Sequence, residues 1–235
     1  MRGSIGMLAM TWLTDAATME AAAERGMPAG LASYAAGRLG VLGDCPPDNV
    51  VAAAYFWEPE RMRSLVLEAR DTITPAAGAS IYAEICQAWG ESNLGDFEGV
   101  ERLGSLCERV VESADPRGAA LFVGWRDLPL PPPGPGRTFQ LCQTMRELRF
   151  GRHTVAVQAS AVSPLDAILS GPAGEWNAEF FGWPKPYPDR SHLTEQRSAV
   201  EDLTDTLHAP DFDVLDAAER QELRDLAKAA RVHVG

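Results

Sequence analysis

Residues 96–114 read Asp-Phe-Glu-Gly-Val-Glu-Arg-Leu-Gly-Ser-Leu-Cys-Glu-Arg-Val-Val-Glu-Ser-Ala, and their spacing decides the fold class. Phe97, Val100, Leu103, Cys107, Val110 and Val111 recur at steps of three and four, while Glu98, Glu101, Arg102, Glu108 and Arg109 fall between them. That is the period of a helix with one apolar stripe, and the stripe must face a core. Working outward, residues 59–73 repeat the pattern through Met62, Leu65, Val66, Ala69 and Ile73, and Thr74-Pro75 restarts a helix with a capping hydroxyl and a first-turn proline. Ser163-Pro164 followed by Asp166 is the same start signal. Further helices are expected over residues 7–25, 28–39, 48–56, 118–125, 138–150, 152–162, 193–208 and 215–231, with almost no alternating strand pattern anywhere. The fold class expected is all-α, a multi-helix bundle.

Two stretches resist a helical reading. Residues 128–136 are Leu-Pro-Leu-Pro-Pro-Pro-Gly-Pro-Gly, short of amide donors and dihedral freedom, and should form an extended strap. The strap, residues 128–137, separates an N-terminal helical half, 1–127, from a C-terminal half, 138–235, the two expected to pack as one domain. Residues 171–191 hold Trp176, Phe180, Phe181, Trp183 and Tyr187 among four prolines. So many aromatic rings should fold back as a lid or wall able to line a pocket.

Composition narrows the function classes. The 235 residues carry 21 basic and 33 acidic side chains, a net charge of −12, so no broad cationic face exists for nucleic acid or anionic lipid. With 46% hydrophobic and 23% charged residues the chain can bury a core. Cys45, Cys86, Cys107 and Cys142 include no CxxC pair and suit a reduced cytoplasm. The segment from Arg2 to Leu13 reads unlike a cleaved leader, and no apolar run is long enough to span a bilayer. His192, His208 and His233 have no metal-ligand spacing, and no nucleophile elbow, Walker or dinucleotide fingerprint is present, so neither metal nor cofactor is expected.

The densest ionisable cluster is Arg146, Glu147, Arg149, Arg152 and His153. Arg146 and Arg149 share a helix face, and a break at Phe150-Gly151 would let His153 fold back towards them. Guanidinium forks could hold an anionic substrate there while Glu147 or His153 moves a proton, and these two are the catalytic candidates. The plainer alternative is an ion pair gluing helices, with His153 capping an end. Arg38, Tyr55, Trp57, Arg146, Arg149 and Trp183 are the substrate-binding candidates, although Arg38 also suits a helix C-terminus on dipole grounds. Glu58, beside Trp57, reads first as a first-turn acid and second as a general acid raised by an indole ring.

Three passages carry a resemblance: Ala36-Gly37-Arg38-Leu39-Gly40 with the Ala-Ala-Ala-Tyr-Phe of residues 52–56; Leu121-Phe122 with Trp125-Arg126-Asp127-Leu128-Pro129; and Met145-Arg146-Glu147-Leu148-Arg149-Phe150-Gly151-Arg152-His153. Over most of residues 30–169 the chain resembles a family of helical actinobacterial proteins described as helix-turn-helix-like and sometimes met beside antibiotic-biosynthesis genes. The resemblance implies a helical fold and places Arg38 among recurrent positions. Departures accompany it. Leu148 stands where the family has a histidine, Phe150-Gly151-Arg152 breaks its Gly-Asp-Gly turn, and the region from Gly182 to Leu193 is too short for a recognition helix of three turns. These features favour a small-molecule-binding protein of specialised metabolism, a cofactor-independent enzyme performing isomerisation, cyclisation or elimination by acid-base catalysis on an apolar substrate. A degenerate helix-turn-helix-like regulator or protein-interaction subunit is the alternative. The expected partner is a small-molecule ligand, without membrane, with nucleic acid disfavoured and with a homodimer left open.

Overall fold

The computed structural model describes residues 4–13 and 15–235, so Arg2 of the leading segment lies outside the described residues. Among these, thirteen α-helices follow one another and no strand occurs: α1 (Ser4–Leu8), α2 (Ala16–Glu24), α3 (Leu31–Arg38), α4 (Pro47–Ala53), α5 (Pro59–Thr72), α6 (Pro75–Leu94), α7 (Val100–Ser113), α8 (Ala120–Arg126), α9 (Pro135–Ala159), α10 (Pro164–Leu169), α11 (Gly174–Phe180), α12 (Thr194–His208) and α13 (Ala217–His233). The all-α bundle expected from periodicity is what the chain forms. No described helix is long and apolar enough to cross a membrane.

Local chemistry sets the helix starts. Thr74 Oγ1 accepts from the Ala77 amide at 3.3 Å and Ser163 Oγ from the Asp166 amide at 3.1 Å, each satisfying a first-turn donor ahead of a proline. Asp216 and Glu219 form a reciprocal capping box on α13. Glu58 caps α5, accepting from the Arg61 amide at 2.6 Å, which places that acid at the helix's positive end.

Helix α9 is the axle, packed against α1, α6, α7, α8 and α12. Its length corrects one expectation: residues 138–150 and 152–162 are not two helices but one. Gly151 is the physical reason. A Cβ there would lie 2.7 Å from the Ala119 Cβ and 2.9 Å from its Cα, so the missing side chain admits the start of α8 against α9 rather than breaking it. The expected helix over residues 7–25 is instead divided, because Asp15 caps a new helix by accepting from the Ala17 amide at 3.1 Å. The strap ends three residues earlier than expected, since Pro135 and Gly136 already belong to α9. It is tied down by Gln87 and Gln140, which donate to the Pro129 carbonyl, and by Arg137, which donates to that of Pro131 at 2.9 Å. One apolar core runs from Leu8 through Phe122 and Leu148 to Ala230. A smaller one joins Phe56, Ala156, Val157, Ile168, Ala178 and Val200.

Candidate functional site

Arg38 closes α3 and is only 1% exposed. Its Nε and Nη2 donate to the two oxygens of Glu147 at 2.8 and 2.6 Å, and its Nη1 donates to the Tyr34 hydroxyl at 2.6 Å. Glu147, fully buried on α9, also accepts from Arg146 Nη1 at 2.6 Å and from Gln143 Nε2 at 2.7 Å. Burial alone would push its carboxyl up, but the Arg38 and Arg146 guanidiniums outweigh that and hold it below the usual range. Arg38 answers in kind: burial would lower it, while Glu147 and Tyr34 carry it above its ordinary value. A carboxylate with four donors and two cations has little basicity left to offer.

His153 sits two turns further along α9. Its Nδ1 lies 2.9 Å from the Thr204 hydroxyl, which also reaches the Val200 carbonyl at 2.8 Å. The ring stacks on Phe56 with centroids 5.5 Å apart. Burial pushes His153 down to about 4, helped by Arg149 and Arg197 and opposed by Glu201. The folded ring stays neutral while an unfolded one charges below 6.5, so its contribution is whole above that pH and is lost as pH falls towards 4. His153→Gln should therefore recover roughly 2 kcal/mol of the stability lost between pH 7 and 4.5. Urea melts across that range check it, and an unaltered slope contradicts a buried neutral ring.

Between α3, α9, α10 and α11 lies a hollow of about 390 Å3. Arg38, Arg146 and His153 line one side of it, and Arg197 joins them from α12. Aromatic rings make up much of the rest of the lining. Trp57 packs on Tyr34, Phe180 and Phe181 with centroid separations of 5.5, 5.5 and 5.2 Å, and Trp176 stacks on Phe180 at 5.6 Å. The Phe150 ring lies under the Arg38 guanidinium at 4.6 Å. Met10 and Trp176, 55% and 63% exposed, mark the mouth. Trp57 is 3% exposed, and its Nε1–H finds no acceptor among the described residues. No aspartate or glutamate contributes to the lining.

Of the residues singled out in the sequence, the hollow brings together Arg38, Trp57, Arg146 and His153. Glu147 stands behind Arg38 and Arg146. Arg149 turns towards α12, donating to Glu201 at 2.8 Å. Tyr55 packs in the smaller core beside Phe56, and Trp183 donates its Nε1 to the Phe56 carbonyl at 2.9 Å. The Phe150-Gly151 break invoked to bring His153 round is absent; His153 reaches the hollow because residues 146, 150 and 153 fall on one helical face. Trp176 lines the hollow as well, although it stays 63% exposed. Tyr34, Phe150 and Arg197 were not expected in the lining, and of these only Tyr34 had a local signal, four residues before Arg38. No group of His, Cys, Asp and Glu able to hold a metal occurs among the described residues.

The profile of a helix-turn-helix family matches residues 2–192, well over half the chain. The chain belongs to that helix-turn-helix family. Every lining residue of the hollow except Arg197 falls within the matched span, so the pocket is a feature of the helix-turn-helix-family region, completed by one residue from the helices beyond it. No curated protein and no solved structure matches the chain.

Proposed function

We propose that this helix-turn-helix-family protein is a ligand-responsive regulator of specialised metabolism in a reduced cytoplasm. An apolar small molecule lodged between α3, α9 and α11 would set how the surrounding helices meet a macromolecular partner. The single observation that carries this is the aromatic hollow of about 390 Å3, within the range of small-molecule sites, in a chain of a helix-turn-helix family. Family membership keeps duplex DNA among the partners, against the expectation drawn from a net charge of −12. Retention on duplex DNA at 50 and 200 mM salt, with and without saturating N-phenyl-1-naphthylamine as a neutral apolar ligand, tests it. Salt-sensitive retention that changes when the dye binds supports the reading. Dye uptake with no effect on retention removes DNA as the partner.

A second reading, proton-transfer catalysis on the same ligand, rests on His153, a ring kept neutral by burial that lines the hollow. Glu147 then serves to position Arg38 and Arg146 rather than to move protons.

A further inference from the structure

The acid-free lining carries an argument about charge. Thirty-three acidic residues give the chain a net charge of −12, yet none of them faces this hollow, while three arginines do. Two of those, Arg38 and Arg146, share the one buried carboxylate of Glu147, which leaves that trio with one positive charge uncompensated. Arg197 reaches Glu201 at 3.4 Å, and Arg149, also on Glu201, reaches Asp205 at 3.7 Å, so those charges balance and the excess stays with Arg38 and Arg146. His153 is held neutral by burial and adds no second charge. A partly desolvated cation without its counter-ion is costly, and a ligand anion relieves that cost.

The donors point the same way. Arg38 spends Nε, Nη1 and Nη2 on Glu147 and Tyr34. Arg146 donates from Nη1 to Glu147 at 2.6 Å, and its side chain, still 17% exposed, lines the hollow. The Trp57 Nε1–H is buried in the same lining and lacks an acceptor among the described residues. Buried donors are nearly always satisfied, so this orphaned N–H beside an arginine in one cavity marks where an oxygen acceptor belongs. The remaining wall, with Phe150, Phe180 and Phe181, accepts apolar mass.

We infer that the ligand is an apolar monoanion, a hydrophobic carboxylic acid in its ionised form, with the carboxylate on the Arg146 guanidinium and the Trp57 N–H and the apolar body against Phe150 and Phe180. This rests on the pocket being a ligand site and adds the ligand's charge. The test uses one skeleton in three charge states, 2-naphthylacetate, 2-naphthylacetamide and 2-(2-naphthyl)ethylamine, titrated against tryptophan fluorescence at pH 7.5. The acid is expected to bind roughly tenfold or more tighter than the amide, with the amine weakest. In Arg146→Gln the acid-to-amide ratio should fall to about one while amide affinity is kept. An amide or amine that binds the unsubstituted protein as tightly as the acid overturns the inference, whether or not the variant folds. Binding of none of the three overturns the pocket reading itself.

Discussion

Glu147→Ala is expected to cost the fold roughly 3–5 kcal/mol, enough to lower the melting temperature of a chain this size by about 10 °C. The carboxylate is the shared counter-ion of two arginines. Without it Arg38, 1% exposed, loses both oxygens that its Nε and Nη2 reach and keeps only the Tyr34 hydroxyl. The cost comes from the orphaned charge rather than from the pair's net worth. Replacing both partners, as in Arg38→Met with Glu147→Leu, should therefore destabilise less than Glu147→Ala alone. Urea denaturation of the single and double variants decides this. A single-variant loss within about 1 kcal/mol would mean that the arginines find other partners or water.

Trp57→Ala is expected to cost a similar amount, roughly 3–5 kcal/mol, and to abolish uptake of aromatic ligands. The indole is 3% exposed and touches Tyr34, Phe180 and Phe181, so its loss hollows the wall from within. Trp176→Ala makes the contrast. That ring is 63% exposed and stacks on Phe180 alone among the described rings, so stability should change little. Trp57→Phe separates packing from hydrogen bonding: it removes a buried N–H that has no acceptor, so the fold should tolerate it, while binding of an acidic ligand that uses the N–H should weaken. Thermal melts and fluorescence titrations of the three variants check both halves. A stable Trp57→Ala with unchanged uptake would remove the aromatic wall from the site.

The helices that the sequence disclosed are those with one face on the core. Residues 59–73 foretold α5 within a residue, and Thr74 and Ser163 announced their caps, because a local rule sufficed in each case. Helix α9 obeyed no such rule. It is enclosed by α1, α6, α7, α8 and α12 and buries Gln140, Gln143, Thr144 and Glu147 together with its apolar residues, so no single stripe survives to show its length. Gly151 then looked like an end, although its role is to let Ala119 approach.

The site divides along the same line. Arg146 and His153 stood out as part of an ionisable cluster, but the meeting of Arg38 with Glu147 spans 109 residues and exists only in the folded chain. Tyr55 and Phe56 are adjacent, and which of them faces the hollow is fixed by the path of the chain after α4. Arg149 and Arg146, taken together from spacing, part company because α12 brings Glu201 to one of them and not to the other.

The most direct measurement is a crystal structure grown with N-phenyl-1-naphthylamine, the neutral dye whose uptake depends on the hollow and not on the arginine charge. The account predicts density for one dye molecule between Trp57, Phe150 and Phe180, with Arg38 still clasping Glu147. An empty hollow at saturating dye, or dye bound elsewhere on the chain, would contradict it.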